Sequence, residues 1–351
     1  MKVINPNKIK NARLIRRLSM SQMTARMGEY AVSRMAISKI ERGLMQPTEQ
    51  TLAAIAQACM VPVEYFFKND IKIDEFEFRF QQNTPAKKRM SIEAQVIAAV
   101  QDYMELNNNI PEQISFKNPL KGTTVRNYPD LELAAERIRS KWSIGLQPIF
   151  SVYELLQDYG IHIIEIDIDD TCIAGVSTFI NGTTPIIIVN SRNNQTTERK
   201  RFTALHELAH LLLRLNPISE EEFSAYTNSL PELPYSATLK QPDKERLCEC
   251  FACAMLLPRQ CVFRRFGNSR ADVHIDELIN VRQKYGISIA ATIHRLHTLR
   301  IIDDVHYHQY YENIISPNVL ETGLGDFPIK EVADRLPLIQ VRLRSLAEKD
   351  N

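Results

Sequence analysis

The sequence predicts a multidomain chain: an all-α N-terminal domain, then an α+β domain with a small sheet, then a mostly helical C-terminal region. Three observations predict it. At 351 residues, with 44% hydrophobic and 24% charged residues, the chain exceeds one small core and has an ordinary globular balance. Its charge is uneven: residues 1–68 hold 11 Lys/Arg against 4 Asp/Glu, although the whole chain carries a formal net charge of only +1. Finally, apolar periodicity is purely helical up to residue 68, whereas helices, strand-like runs and a further helix succeed one another from residue 130. The boundaries read as 1–68, a helical connecting region over 69–129, then 130–265 and 266–351.

In the first segment, "NKIKNARLIRRL" sets Ile9, Ala12, Leu14, Ile15 and Leu18 broadly on one side. "MSQMTARMG" follows, with Gly28 as its stop. After the turn "EYAV" comes "SRMAISKIERG", with Ser33 as N-cap and Gly43 closing the helix. "TEQTLAAIAQAC" and "PVEYFF" complete five helical segments. In the connecting region "IKIDEFEFRF" (71–80) alternates like a strand and "MSIEAQVIAAVQDYMEL" reads as an amphipathic helix. The Asn- and Pro-rich "NNNIPEQISFKNPLKGTTVRNYP" reads as a loop.

From Asp130, taken as N-cap, "LELAAERIRSKW" is helical, and "PIFSVYELLQDYG" is a second helix ending at Gly160. Three strand-like runs follow: "IHIIEIDI", "IAGVSTFI" and "PIIIVN", the last two joined by the Asn-Gly turn "NGTT". Near the C-terminus "IHRLHTLR" is helical, "VHYHQYY" is strand-like, and the tail "FPIKEVADRLPLIQVRLRSLAEKDN" holds helical stretches broken at Pro337.

No apolar run approaches the roughly 18 residues that span a bilayer, and the N-terminus lacks the apolar core of a signal peptide, so a cytoplasmic protein with no membrane partner is expected. The six cysteines include "CECFAC" (Cys248, Cys250, Cys253). Positions i and i+2 on a helix point about 160° apart, so Cys248 and Cys250 do not share an ion there. Small buried thiols are expected instead.

The basic charge of the first segment points to a polyanion as its partner. "SQ" opening the second helix, "VSRMAISKIERG" as the third and "VPVEYFF" at the end resemble the Cro/repressor (XRE-type) helix-turn-helix family. That resemblance implies double-stranded DNA as partner. The third helix would enter the major groove, with Arg34, Met35, Ser38 and Lys39 at base edges and Gln22 and Arg42 at phosphates. Ile37 and Ile40 would face inward.

"FTALHELAHLLL" carries His206 and His210 four residues apart, with Glu207 between them. On a helix, positions i and i+4 lie about 40° apart, so both imidazoles can reach one zinc ion at about 2.0–2.1 Å. Glu207 then stands beside the metal, where a carboxylate can take a proton from a water the metal has acidified. Leu205, Leu208, Ala209 and Leu212 would equally give a buried helix its core face, so a third ligand decides between the two readings. "KERLCECFACAMLLPRQ" offers Glu245 and Glu249, again four apart. Two carboxylates facing the histidine helix could supply one ligand and one partner for a ligand; a solvated salt-bridging face is the alternative.

The stretches "LAAERIRSKWSIGLQPIFSVYELLQDYGIHI", "IIIVNSRNNQTTERKRFTALHELAHLLL", "ERLCECFACAMLLP" and "KYGISIAATIHRLHTLRII" occur in the order and pattern of the ImmA/IrrE metallopeptidases. The whole chain resembles those members that carry an N-terminal helix-turn-helix domain. The resemblance implies a zincin-like, gluzincin-type fold for 130–265, with His206, His210 and Glu245 as metal ligands and Glu207 as the catalytic general base. Where the family usually has Ala-Asn or Ala-Asp this chain has Cys248-Glu249, and Glu249 is the candidate for orienting a histidine ligand.

Zinc is the expected cofactor, with manganese as the alternative in the cell. The implied activity is site-specific cleavage of a partner helix-turn-helix repressor, relieving repression in stress, phage, mobile-element or defence control. Two alternatives stay open: a transcriptional regulator whose peptidase fold senses a ligand, and an antitoxin-like protein that acts by complex formation. A second copy of the chain, as a homodimer, is a further candidate partner.

Overall fold

The computed structural model describes residues 3–70, 72–74, 84–107, 114–168, 173–229 and 241–331. Contacts divide the chain into two units: residues 1–113 with 166–173 and 180–183, and residues 114–165 with 174–179 and 184–351. The fold class is as predicted, a helical N-terminal domain followed by a domain of many helices around small sheets.

The first unit begins with α1 (Pro6–Ile15), α2 (Met20–Arg26), α3 (Arg34–Glu41) and α4 (Glu49–Cys59), and continues into a 3-10 turn over Val63–Phe67. Each helix start follows from its cap: the side chains of Asn5, Ser19, Ser33 and Thr48 accept backbone N–H groups of the first turn. Gly28 has φ +64° and leads a short 3-10 turn that separates α2 from α3. Ile9, Met23, Ile37, Ile55 and Phe66 are fully buried in one core drawn from residues 9–66. A buried ion pair between Arg13 and Glu41 joins α1 to α3, with Nη2 2.8 Å from Oε2.

Helix α5 (Ala86–Asn107) packs along α1. Lys8, 1% exposed, donates to the Gln101 side chain, and Lys68 lies 2.8 Å from Glu105 and 3.0 Å from Asp102. The region expected to connect therefore adds a helix to the first unit. Of the strand expected over 71–80, Ile73 makes an isolated antiparallel bridge with Ile180, and 75–83 lie outside the described residues.

The second unit runs β1 (Thr124–Val125), α6 (Tyr128–Lys141), α7 (Val152–Asp158), β2 (His162–Ile166), β3 (Gly175–Ile180), β4 (Thr184–Asn190), α8 (Thr197–Leu212), β5 (Arg214–Leu215), α9 (Glu220–Asn228), α10 (Lys244–Leu256), α11 (Arg259–Phe266), α12 (Ile275–Tyr285), α13 (Ile289–Thr298) and α14 (Asp304–Tyr310). The three-stranded sheet has the order β2-β4-β3, which makes β4 central and explains its apolar run, Ile186 to Val189, all buried. Asn181 (φ +53°) and Gly182 (φ +71°) form the turn between β3 and β4, both left-handed as a tight hairpin requires. A second sheet pairs β1 with β5 in parallel, tying the stretch expected to be loop to the end of α8. Helix α10 packs along both α8 and α6.

Three local expectations need correction. The N-cap of α6 is Asn127, whose side chain accepts from the N–H of Asp130. Pro129 sits in the first turn, where a missing N–H costs nothing, so the helix starts earlier than the apolar pattern. "VHYHQYY" is helical, because Asp303 caps α14 and Tyr307 packs on His294 and His297. The tail beyond residue 331 lies outside the described residues.

The last described stretch is anchored to the second unit by Glu321, Phe327 and Glu331. Glu321, 4% exposed, accepts the N–H groups of Ile289 and Ala290 at the start of α13. The Phe327 ring lies under the Arg201 guanidinium, 4.4 Å from centroid to Cζ. Glu331 accepts from Ser151 Oγ (2.8 Å) and from the N–H groups of Val152 (2.9 Å) and Tyr153 (3.0 Å), capping α7. It also pairs with Arg201 of α8, and both side chains are 0% exposed.

Candidate metal centre

Helix α8 starts at the Thr196 cap and presents His206 and His210 one turn apart, on the side where α10 lies. Their Nε2 atoms converge to 3.1 Å. From α10, Glu245 reaches them: Oε2 is 3.4 Å from His206 Nε2, and Oε1 is 3.9 Å from His210 Nε2. These three side chains form the one group among the described residues with metal-ligand geometry, all ligand atoms lying within 4.8 Å of one another. Donors at 2.0–2.1 Å around a tetrahedral ion stand about 3.3 Å apart. The separations of 3.1, 3.4 and 3.9 Å bracket that value. Two imidazoles and a carboxylate are also a donor set that zinc takes, so the residues fit the ion.

Glu207 follows His206 on α8 and is 8% exposed. Its carboxylate is gripped from β3, where Ser177 Oγ donates to Oε2 at 2.8 Å. Two residues before Ser177 on the same strand face stands Gly175. A Cβ there would meet Thr203 Cγ2 at 2.8 Å, Glu207 Cγ at 3.0 Å and Glu207 Oε1 at 3.2 Å. The strand therefore lies directly on α8 at Glu207, and only glycine permits that approach. Asn194, 0% exposed, fixes the joint: its amide nitrogen donates to the carbonyls of Ala174 (2.8 Å) and Asn190 (2.7 Å), and its oxygen accepts from Thr203 Oγ1 (2.6 Å).

Glu249 and Cys248 divide differently from expectation. The Glu249 carboxylate lies 3.3 Å from Arg246 Nη1. The atom found beside a histidine ligand is Cys248 Sγ, 3.2 Å from His210 Nδ1. Cys250 and Cys253 are buried as expected, and burial pushes their thiols up to about 11 and about 12. His297 Nε2 lies 2.6 Å from Asp304, and Tyr307 OH lies 2.9 Å from His294 Nδ1. His274 caps α12.

In the first unit Arg34, Met35, Lys39 and Arg42 are exposed and Ser38 is half-buried, all on or beside α3, while Ile37 and Ile40 face the core. Arg42 Nε donates to the Ser38 carbonyl. Gln22 is exposed, with its amide oxygen held by the N–H of Ser19 in the capping box of α2.

Ser177, Gly175, Asn194 and Cys248 were not singled out from the sequence as site residues. The signals present were the glycine inside a strand pattern, "AGVSTFI", and the Asn-rich "NSRNNQ" before the histidine helix.

Two comparisons bear on this arrangement. Residues 156–297, which contain the whole cluster, match a peptidase family model described as the IrrE N-terminal-like domain. Residues 9–66 match a model described as helix-turn-helix. No curated protein matches the chain.

Proposed function

Because the chain joins a helix-turn-helix domain to a peptidase-family domain of the IrrE-like type, we propose that it is a DNA-bound, metal-dependent endopeptidase that cleaves a partner helix-turn-helix repressor at a specific bond. The observation that carries the reading is the convergence of His206, His210 and Glu245 beside a buried Glu207 that Ser177 holds in place. His206, His210 and Glu245 would hold zinc, which when bound supplies Lewis acidity for the scissile carbonyl and for a water. Glu207 takes the proton of the attacking water and returns it to the leaving amine. The Ser177 hydrogen bond fixes the rotation of that carboxylate, so the base meets the water in one orientation.

β4 is central, whereas β3 lies at an edge of the sheet, where an extended peptide can add by backbone pairing. β3 also runs past Glu207, and it is the strand we assign to the substrate. The DNA domain supplies the address. A protease and a repressor held on one DNA meet at the effective concentration of a tethered pair, so modest intrinsic affinity suffices. Zinc outranks manganese in affinity for these donors.

The test is a survey of new protein N-termini in cells carrying wild type or Glu207→Gln, with and without DNA damage or oxidant. A terminus inside a helix-turn-helix repressor, present only with wild type, is expected. Regulation that survives Glu207→Gln with no new terminus would overturn the protease reading and leave a ligand-sensing regulator.

A further inference from the structure

Helix α10 carries two side chains that meet α8 at the same histidine. Glu245 and Cys248 are three residues apart, so they share a face and are offset by about 4.5 Å along the axis. Glu245 lies on the Nε2 side of His210 and Cys248 on the Nδ1 side, at 3.9 Å and 3.2 Å respectively. The imidazole is therefore addressed at both nitrogens by one rigid element. Cys248 is itself 0% exposed, packed in the same core as Leu247 and Phe251.

A histidine that ligates through Nε2 must present its lone pair there, which puts the neutral ring's proton on Nδ1. An acceptor beside Nδ1 selects that tautomer, fixes the ring plane and makes Nε2 more basic. We propose that Cys248 is the positioning residue for His210: its sulfur accepts the Nδ1 proton and holds the ring in its metal-binding tautomer. This rests on the metal reading above and assigns to one thiol of the "CECFAC" run a role its neighbours lack. Cys250 and Cys253 lie on the same helix and are also buried, and Cys253 has its sulfur 3.9 Å from the Ala291 carbonyl.

The experiment is zinc affinity of the metal-stripped full chain, measured by competition with a chromogenic chelator at neutral pH. Wild type, Cys248→Ala, Cys248→Ser and Cys250→Ala are compared, with urea melts of the zinc-free proteins alongside. Loss of a hydrogen-bonding partner behind a metal ligand typically weakens metal binding about 10- to 100-fold, and Cys248→Ala is expected in that range. Cys248→Ser, whose hydroxyl also accepts, is expected to keep most of the affinity, and Cys250→Ala to keep all of it. Binding by Cys248→Ala as tight as wild type overturns the proposal. So does a Cys250→Ala variant weakened equally, because that would make the effect one of packing. If wild type takes up no zinc, the metal reading itself falls and this inference with it.

Discussion

Removing the Glu331 carboxylate should bring the peptidase domain close to unfolding while leaving the DNA-binding domain intact. Arg201 on the histidine helix is fully buried, and its guanidinium donates to the carbonyls of Ile149, Phe150, Tyr285 and Gly286 besides Glu331. In Glu331→Ala the carbonyls remain, but the charge loses its counter-ion. Breaking one side of a buried pair costs about 3–5 kcal/mol. The first turn of α7 loses its acceptor at the same time. Glu331→Gln keeps shape and acceptor but not charge, and should cost about 1–2 kcal/mol. Trp142 provides the assay: it is the chain's only tryptophan, 5% exposed and stacked on Tyr159 inside the second unit, so its fluorescence reports that unit alone. At about 2–3 kcal/mol per molar, the urea midpoint should fall by about 1–2 M for the alanine variant and by less than half of that for glutamine. An unmoved midpoint in Glu331→Ala would refute the claim that this pair holds the histidine helix in place.

Gly175→Ala must push β3 away from α8, and so from Glu207, by roughly 0.7 Å to restore ordinary contact with Thr203. Under the proposed peptidase mechanism, a displacement of that order at Glu207 should cost about 100-fold in turnover, read as loss of the substrate's new N-terminus, with zinc affinity unchanged. On the resemblance's placement of Arg34 at a base edge and Arg42 at a phosphate, Arg34→Ala should cost about 1–3 kcal/mol and relax specificity at one base pair, whereas Arg42→Ala should weaken all sequences alike and lower the salt slope by about 1; gel-shift titrations at several salt concentrations separate them. The raised thiols of Cys250 and Cys253 stay protonated in the fold up to about 11 and about 12, against an ordinary 9.0. Their contribution to stability is therefore full below pH 9 and lost as the pH climbs through 11 to 12. Iodoacetamide at pH 8, followed by peptide mass analysis, should modify neither in the native chain and both in urea.

The parts of the site that can be read from the sequence are those carried by one helix. The spacing of His206, Glu207 and His210 fixes their relative directions once the helix is granted, and the run Leu205, Leu208, Ala209 and Leu212 gives that helix its core face. Glu245 was readable only as one of two carboxylates four apart, and the resemblance chose between them. Which neighbour of Glu245 touches His210 depends on the rotation of α10 against α8. The apolar pattern leaves that open, so Glu249 was nominated where Cys248 stands. Ser177 and Gly175 face Glu207 across a contact between a strand and a helix some 30 residues apart, and a strand's alternation does not say which element covers it.

The same limit hid β1. Two residues make no periodic signal, and only the parallel pairing with β5 turns them into a strand. The short α14 runs against the strand preference of its Val and Tyr residues, because the Asp303 cap and the packing of Tyr307 decide otherwise.

The countercharge for Arg201 arrives 130 residues later in the chain than the arginine it serves. The core of the DNA-binding domain, by contrast, closes with residue 66. Synthesis proceeds from the N-terminus at about 5–20 residues per second, so the stretch between the two is translated in roughly 15–50 s. Once α8 is complete at Leu212, and until residue 331 follows, a growing chain has the helix-turn-helix core and a histidine helix whose Arg201 lacks Glu331. The order of residues along the chain thus works as a timer: the helix-turn-helix core is complete before the Arg201–Glu331 pair can form, and a chain cut short before residue 331 keeps the first without the second.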